Sequence, residues 1–238
     1  MSLRSDLSTP DGKRRHVRQL FARIADRYDL ITVLLSYGLD GRWKRRLIDL
    51  ADCRSGEQAL DLACGTGALT FAIAAQGACA VGLDITPRMI ELAHQKARRT
   101  SPGFLVGDMM ALPFPDASFD LVTTGYGLRN VPRLDQAIDE IHRVLRPGGR
   151  LLSLDFDRPA NGALRFVYLA YLNLVGSVLG LLLHGNADTY RYIPESIRRY
   201  PGAAGVVGLL ERAGFVRACA VPVLGGLMAI HVARKGRG

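Results

Sequence analysis

The sequence predicts an α/β protein with a doubly wound, mostly parallel sheet. Between about residues 58 and 156, short apolar runs alternate with stretches of helical periodicity, which is the element order of parallel sheets. The first apolar run ends in a glycine-rich turn with a helix start directly behind it. With 238 residues, 48% of them hydrophobic and 22% charged, the chain is long enough to bury one sizeable core.

Periodicity and turn residues predict the individual elements. The predicted strands cover residues 58–61, 79–84, 104–108, 119–124, 151–156, 216–223 and 228–235. The predicted helices cover residues 13–28, 43–51, 68–76, 86–99 and 134–145, and residues 28–44 form a loop or a short helix. Thr86 is predicted as an N-cap with Pro87 at the first helical position. The last two strands flank a glycine pair, which predicts an antiparallel hairpin.

The chain is predicted to form one domain over residues 13–238, behind a flexible tail over residues 1–12. Residues 13–52 read as an N-terminal helical cap over the glycine turn, with simple helix packing as the alternative. Residues 159–202 interrupt the alternation and read as a helical insertion. Within it, residues 163–185 are apolar enough for a membrane span, but Arg165 and Asn173 argue against one. We expect this run to line a lipid-sized pocket or to touch the bilayer, with core packing as the alternative.

Composition argues against several classes of protein. The four cysteines are widely spaced and no histidine stands at ligand spacing, so we expect neither a disulfide framework nor a metal site. The first residues lack an apolar segment, which predicts a cytoplasmic rather than a secreted protein. The net charge of +9 is concentrated in residues 13–27 and 42–46, which suits an anionic membrane surface or a solvated helix face. Aromatic residues do not alternate with these charges, so we expect no nucleic acid partner.

The glycine turn after the first strand predicts a cofactor site. Gly65 and Gly67 allow a ligand to approach the backbone, but Thr70 stands where a dinucleotide motif has its third glycine. Asp61 ends the strand before the turn and suits a positively charged cofactor. Asp84 ends the next strand and can accept both hydroxyls of a ribose. Together these residues point to S-adenosylmethionine.

Two later strand ends extend the predicted cofactor site. Asp108 ends the third strand and suits the adenine amino group, while Met109 would pack on the ring. Alternatively, Asp108 caps the next turn. Residues 125–132 follow the fourth strand at the edge of the sheet where ligands bind in open α/β folds.

Motifs spread over residues 17–235 resemble one family, the C-methyltransferases of ubiquinone and menaquinone biosynthesis, within the class I S-adenosylmethionine-dependent methyltransferases. The more specific motifs are GLRNV at 127–131, YRYIPESI at 190–197 and GG-x-x-A-I-H at 225–231. The others are F-x-x-I-A-x-x-Y-D at 21–29, SYG at 36–38, WKR at 43–45, DLACGTGALT at 61–70, LPFPDASFD at 112–120, RVLRPGGRLL at 143–152 and AGF at 213–215.

The resemblance implies a seven-stranded sheet and methyl transfer to a ring carbon of a polyprenylated quinol. Peripheral contact with an anionic membrane surface and a homodimer are further expectations. By position the resemblance assigns the cofactor to Thr66, Asp84, Asp108, Met109 and Gly125, and Ile85, which follows Asp84, is a further candidate. The chain departs from the family at Thr32, where Asn is usual, and at Asp40-Gly41, where His-Arg is usual. It also has Asp155-Phe156-Asp157 in place of Glu-Phe-Ser. These departures put the identity of the acceptor in question more than that of the cofactor.

The catalytic hypothesis rests on the segment after the fourth strand. A quinol ring carbon becomes a good nucleophile once a phenol proton leaves, so the enzyme must stabilise phenolate and accept protons. We expect Arg129 and Asn130 to supply the stabilisation, although Arg129 could instead be a structural ion-pair partner. The further candidates are Tyr126 for catalysis and Tyr28, Asp29, Tyr190 and His231 for the acceptor. The alternatives are methylation of another hydrophobic small molecule and a lipid-binding scaffold without turnover.

Overall fold

The computed structural model of the chain describes residue 7 and residues 9–36, 38–97, 102–159, 161–187 and 189–237. The described strands form one seven-stranded sheet in the order β3-β2-β1-β4-β5-β7-β6. The strands are β1 Gln58–Leu62, β2 Cys79–Asp84, β3 Gly103–Val106, β4 Phe119–Gly125, β5 Leu145–Phe156, β6 Phe215–Val223 and β7 Met228–Lys235. The first five are parallel, and β7 is antiparallel to both of its neighbours. This confirms the predicted fold class.

Helices cover both faces of the sheet. The α-helices are α1 Pro10–Ile24, α2 Tyr28–Leu35, α3 Asp40–Ala51, α4 Ala68–Ala75, α5 Pro87–Lys96, α6 Leu134–Val144, α7 Gly162–His184, α8 Tyr192–Arg199 and α9 Gly202–Arg212. Alternation along β1 divides the core, because Leu60 packs with α6 and α9 on one face while Ala59 packs with α3 and α4 on the other. Apolar side chains of the sheet and the helices therefore form a core on each face of the sheet.

The order of the strands reverses between β1 and β4, and this switch point positions the site. Leu62 at the end of β1 lies opposite Leu83 in β2 and Thr124 in β4. In open α/β sheets, ligands bind at the carboxyl ends of the strands where the order reverses. The residues after β1, β2, β3 and β4 therefore meet at one edge of the sheet.

The N-terminal elements differ in detail from the prediction. Helix α1 begins at Pro10 because the Thr9 hydroxyl accepts a hydrogen bond from the Gly12 N–H at 3.1 Å and Pro10 stands at the first position. Most of the predicted tail over residues 1–12 lies outside the described residues. The ambiguous stretch after α1 contains a helix, α2, and the next helix begins three residues earlier than predicted, at Asp40.

Two other local predictions are refined. Thr86 is the N-cap of α5 and Pro87 its first residue, as predicted, but the Thr86 side chain makes no capping hydrogen bond. Instead, the Asp84 carboxylate accepts the Thr86 N–H at 2.8 Å, which ties the end of β2 to the helix. Strand β5 runs from Leu145 to Phe156, longer than the predicted 151–156; its pairing with β4 jumps from Leu145 to Arg150, and Gly148 between them has φ +81°. Residues 98–101, where α5 was predicted to end, are outside the described part of the chain.

Helix α7 lies on the surface of the insertion. Its buried side chains Tyr168, Leu169 and Leu172 pack with Ile197 of α8. Its opposite face exposes six large apolar side chains: Phe166, Val167, Leu174, Val178, Leu181 and Leu182. By length and composition the stretch Arg165–His184 could cross a membrane, and 28% of it is buried inside the protein. The helix therefore joins a packed face to an unusually apolar outer face.

Candidate active site

Asp84 organises the turn between β1 and α4. One of its oxygens accepts the Gly65 N–H at 3.0 Å and the other accepts the Thr86 N–H at 2.8 Å, so it holds two loops together. Burial raises the pKa of this carboxyl above its ordinary value, against the lowering effect of these hydrogen bonds. Each carboxylate oxygen has a second lone pair, and the side chain faces a cleft. Asp84 is thus placed to accept further hydrogen bonds from a ligand.

The two glycines of the turn have different roles. Gly65 lines the cleft with φ +56°, and a Cβ there would lie 3.4 Å from the Tyr28 ring. Gly67 has φ +90°, and a Cβ there would lie 2.8 Å from Phe71 and 2.9 Å from Phe104. It lines neither the cleft nor the two other cavities described below. The packing of two aromatic rings therefore requires a glycine at position 67, and its contact with a ligand stays a prediction.

Asp61 lies beside the turn, fully buried at the end of β1. Its two oxygens accept hydrogen bonds from the hydroxyls of Thr70 at 2.6 Å and Thr123 at 2.9 Å. Burial raises the pKa of this carboxyl to about 6, although the hydrogen bonds and Lys44 act in the opposite direction. Asp61 lines a polar cavity of about 230 Å³ together with Thr66, Asp29 and Lys44. This cavity suits the charged tail of a ligand.

Asp108 is held from both sides. One oxygen accepts the Met110 N–H at 2.9 Å, as expected of a turn cap, and the other lies 2.5 Å from the Arg14 guanidinium of α1. The side chain still lines the cleft, next to Met109 and across from Ile85 and Gly125. Helix α1 therefore closes over the cleft, which measures about 70 Å³.

Lys13 fastens the same helix to the segment after β4. Its amino group donates hydrogen bonds to the carbonyls of Arg129 at 3.0 Å and Val131 at 2.6 Å. Burial, reinforced by the nearby charge of Arg129, lowers the pKa of Lys13 to about 8. Neither Lys13 nor Arg14 was singled out as a site residue, because in the sequence they belong to a basic run that also suits a solvated helix face.

A third cavity, of about 570 Å³, opens between the N-terminal helices and the insertion. It is lined mainly by aromatic and aliphatic side chains, among them Trp43, Phe156, Tyr168 and Tyr192, with Arg129 as its charged residue. We call it the acceptor cavity, and we call the other two the cleft and the polar cavity. Tyr28 and Tyr126 line all three, so these two rings stand where the cavities meet.

Arg129 is buried in an ion pair. Its Nε lies 3.2 Å from one oxygen of Asp155, its backbone N–H donates to the other at 3.0 Å, and its Nη1 donates to the Ser196 hydroxyl. The guanidinium also stands 5.0 Å from the Phe156 ring centroid. Arg129 lines the acceptor cavity, so the geometry gives it both of the roles considered from the sequence, the structural ion pair and contact with an acceptor.

Asn130 and Tyr126 lie beside Arg129 but make other contacts. Asn130 lines the cleft, where its amide donates to the Tyr126 carbonyl at 2.7 Å and its oxygen accepts from Tyr192 at 3.0 Å. Tyr126 adopts φ +63° and donates its hydroxyl proton to Asp40 at 2.8 Å. Burial raises the pKa of this hydroxyl well above its ordinary value. Arg129 and Asn130 thus face different cavities.

The remaining acceptor candidates are scattered. Tyr190 lines the acceptor cavity, and its hydroxyl lies 2.9 Å from a ring nitrogen of His184. Asp29 lies on the polar cavity instead, where it accepts from the Thr66 hydroxyl at 2.6 Å and pairs with Lys96. His231 is buried in β7 opposite Ser153 and lines none of the three cavities. The structure therefore does not bring Asp29 or His231 to the acceptor cavity.

No metal-binding cluster was predicted. Within the described parts of the chain, no group of three or more His, Cys, Asp or Glu side chains is arranged to hold a metal ion. That the reaction needs no metal stays a prediction from the chemistry of the proposed donor.

Comparisons with known proteins identify the family of the chain. The model of the ubiE/COQ5 methyltransferase family matches residues 9–235. A demethylmenaquinone methyltransferase of Thermus thermophilus is 43% identical over 217 residues, which are 90% of this chain and 98% of that protein. A ubiquinone/menaquinone biosynthesis C-methyltransferase of Azotobacter vinelandii is 38% identical over 232 residues, which are 94% of this chain and 92% of that protein.

Solved structures share the fold. An S-adenosylmethionine-dependent methyltransferase of Thermotoga maritima superposes with a TM-score of 0.67 at 17% identity, covering 92% of this chain and 99% of that one. The [4+2]-cyclase SpnF superposes with a TM-score of 0.57 at 22% identity, covering 91% of this chain and 96% of that one. At these identities the likeness describes architecture alone, and the second example shows that the architecture also serves other chemistry.

Proposed function

The chain belongs to the ubiE/COQ5 methyltransferase family and is an S-adenosylmethionine-dependent methyltransferase, and we propose that its acceptor is a ring carbon of a polyprenylated quinol. The acceptor cavity is the observation that carries this proposal. It is apolar, it measures about 570 Å³, and it meets the cleft at Tyr28 and Tyr126. A ring bound at this meeting point would have its apolar tail among side chains of α2, α7 and α8.

The residues at the switch point fit the cofactor. Asp84 has lone pairs free for ribose hydroxyls, Met109 and Ile85 offer apolar surfaces to adenine, and Asp108 offers an acceptor if Arg14 moves aside. Asp61, with Lys44 close by, gives the polar cavity the opposite charges that an amino-acid tail requires. When bound, S-adenosylmethionine supplies a methyl group activated by a positively charged sulfur.

Arg129 is our candidate for stabilising charge on the acceptor oxygen. Asp155 offsets part of its positive charge, so the contribution comes mainly from N–H groups held in a fixed direction within a cavity of low polarity. The carboxylate and the Ser196 hydroxyl keep the guanidinium oriented before an acceptor arrives. We propose that Asn130 acts indirectly, because both ends of its amide already hold Tyr126 and Tyr192.

We further propose that the protein works at the cytoplasmic face of a membrane. The apolar outer face of α7 continues onto α2, where Leu30, Val33 and Leu34 are exposed, and the two helices pack together through Ile31, Leu179 and Leu183. Both helices border the acceptor cavity, so a polyprenyl tail could pass from lipid into it without crossing water. The net charge of +9 suits an anionic surface.

A labelled-methyl assay tests the acceptor. Purified protein is incubated with S-adenosylmethionine carrying a ¹³C methyl group and with a short-chain prenyl naphthoquinol or benzoquinol, and the product is examined by NMR. The proposal expects a methyl signal on a ring carbon. An oxygen-bound methyl with these quinols, or turnover only with other hydrophobic acceptors, would favour the second reading, a methyltransferase for a different small molecule. That reading is supported by Thr32, which departs from the family and lines the acceptor cavity.

Two controls complete this test. Calorimetric titration with S-adenosylmethionine asks separately whether the cofactor binds, and no heat at high concentration would support the scaffold reading. Light scattering after gel filtration measures the oligomeric state, which tests the proposed homodimer.

A further inference from the structure

Tyr126 is hydrogen-bonded to the carboxylate of Asp40, a position where the family usually has a different residue. Its hydroxyl donates to Oδ1 of Asp40 at 2.8 Å, and Oδ2 of Asp40 lies 2.7 Å from Nζ of Lys44. The Asp40 N–H donates to the Ser36 hydroxyl at 3.2 Å, and Asp40 is only 9% exposed. The side chains of Tyr126, Asp40 and Lys44 are therefore linked in that order at the start of α3, with Asp40 accepting from both neighbours.

This arrangement decides what the Tyr126 oxygen can offer to a ligand. A tyrosine hydroxyl has one proton, and an ionised carboxylate can only accept. Asp40 forms a salt bridge with Lys44 through its other oxygen, and the Tyr126 proton is directed to the carboxylate. The other side of the oxygen then presents lone pairs alone, and it can receive a hydrogen bond but not give one.

Tyr126 borders the place where an acceptor would bind. Tyr126 lines the cleft and the acceptor cavity, and Ser36 and Thr32 from the neighbouring segment line the acceptor cavity too. Its backbone is also fixed, since the N–H donates to Leu154 at 2.7 Å and the carbonyl accepts from Asn130 at 2.7 Å. A non-glycine residue held at φ +63° by such contacts is typical of functional sites.

We propose that the Tyr126–Asp40 pair makes the site select the hydroxyl form of its aromatic acceptor, a quinol, over the carbonyl form, a quinone. The inference rests on the proposed function and adds the group that distinguishes the two redox forms. A quinol hydroxyl donates to the Tyr126 oxygen, whereas a quinone carbonyl places lone pairs against lone pairs. The same polarity draws the hydroxyl proton away from the ring oxygen, in the direction that builds charge on the ring. Asp40 is a positioning residue that acts through Tyr126.

Binding measurements test this without turnover. A short-chain naphthoquinol and its quinone are titrated anaerobically into the protein by calorimetry, in the absence of S-adenosylmethionine. The wild-type protein should prefer the quinol by about ten- to a hundredfold, the range of one buried polar group left unpaired. Tyr126→Phe should bring the ratio close to one by weakening quinol binding. Asp40→Ala should bring it close to one mainly by improving quinone binding, because Tyr126 is then free to donate.

The matched control is Asp49→Ala, an exposed aspartate on the same helix, which should keep the wild-type ratio. S-Adenosylmethionine titration of each variant checks that the fold and the cofactor site are intact. A wild-type ratio near one, or an unchanged ratio in Tyr126→Phe and Asp40→Ala, overturns the inference alone. If the wild-type protein binds the cofactor but neither form of the acceptor, the proposed acceptor fails and the inference fails with it.

Discussion

Asp61 and Asp84 are both buried at strand ends, but their surroundings differ. Asp84 accepts two backbone N–H groups, whereas Asp61 accepts two hydroxyls and has a pKa of about 6. A carboxyl whose pKa is higher in the folded state than in the unfolded chain favours folding at low pH. This contribution to stability is lost as the pH rises from about 4 through 6. Asp61 therefore carries a stability cost at neutral pH that a positively charged ligand would offset.

We expect Asp61→Asn to separate binding from stability. The variant should bind S-adenosylmethionine at least about tenfold more weakly, since it loses a negative charge in the polar cavity. At pH 7 its melting temperature should not fall, because ionised Asp61 costs on the order of 3 kcal/mol by the shift from 3.8 to about 6. Any stability advantage should shrink toward pH 4. Calorimetry and thermal melts at both pH values measure the two effects, and unchanged cofactor affinity would contradict the role of Asp61.

We expect Gly67→Ala to destabilise the protein by about 2–4 kcal/mol, through overpacking and backbone strain together. The added Cβ would meet Phe71 and Phe104 within 2.9 Å at φ +90°. Gly56→Ala is the matched control, since Gly56 has φ +83° but nothing within 4 Å of its Cβ, and it should cost only the backbone part, about 1 kcal/mol. Urea unfolding compares them. Equal losses would show that the aromatic contacts do not matter.

At this scale, residues at strand ends could be predicted and long-range partners could not. Asp61 and Asp84 follow apolar runs, so their place at the edge of the sheet follows from local pattern. Gly67 has the same local signature as Gly65, and only the ring of Phe104, which comes from β3, gives it a different role. Likewise, no local pattern pairs Tyr126 with Asp40, because 86 residues separate them.

Helix α1 is the element that closes the cleft. Lys13 and Arg14 fasten it to the segment after β4 and to Asp108, and the cleft beneath it is about 70 Å³, too narrow for an adenosyl group. We expect cofactor exchange to require a movement of α1. In the closed form the pKa of Lys13 is about 8, whereas an exposed lysine titrates near 10.4. Closing releases a proton in this range, so a higher pH favours the closed form.

We expect cofactor release to slow several-fold between pH 8 and pH 10 in the wild-type protein. Lys13→Met should flatten this dependence, because the group that loses a proton on closing is gone. Stopped-flow displacement of labelled S-adenosylmethionine measures the rates, with Arg15→Met, an exposed neighbour in the same helix, as the control. An equal pH dependence in Lys13→Met would rule out this source.

Element prediction succeeded where periodicity spans several turns and failed where tertiary contacts decide. The strands β1 to β4 and the helices α4 to α6 follow their patterns closely, whereas β5 begins six residues before its predicted start. Helix α2 was ambiguous because eight mostly apolar residues carry no clear period, and its packing against Tyr190 and Leu179 makes it a helix. The role of α1 was also open, since its basic residues form partners only when α1 meets distant segments.

At the scale of the whole molecule, the helices α7 and α2, which carry the apolar outer surface, both line the acceptor cavity. The sequence predicted the long apolar run but left open whether it is buried. The structure packs Tyr168, Leu169 and Leu172 inward and leaves the other face of α7 exposed. Composition alone does not distinguish these faces, since both are apolar and the helical period is hidden.

We expect the protein to sediment with vesicles that contain anionic lipid, and less strongly at high salt. The double variant Leu174→Glu, Leu181→Glu changes the exposed face of α7. It should lower vesicle binding at least about tenfold, because it places charge on the surface that would contact the lipid. Turnover of a short-chain quinol in solution should persist. Val216→Glu, an exposed position on edge strand β6, is the control. Equal sedimentation of all three proteins would place the membrane contact elsewhere.

Because Tyr28 and Tyr126 line all three cavities, their position also guides inhibitor design. A single compound could join an adenosine group, an amino-acid group and a hydrophobic aromatic group through one branching atom. It would occupy the cleft, the polar cavity and the acceptor cavity together. Most enzymes that use this donor share the first two parts, so selectivity would come from the third. The branching atom would lie against the two tyrosine rings, where we expect the methyl group to pass from the cofactor to the acceptor.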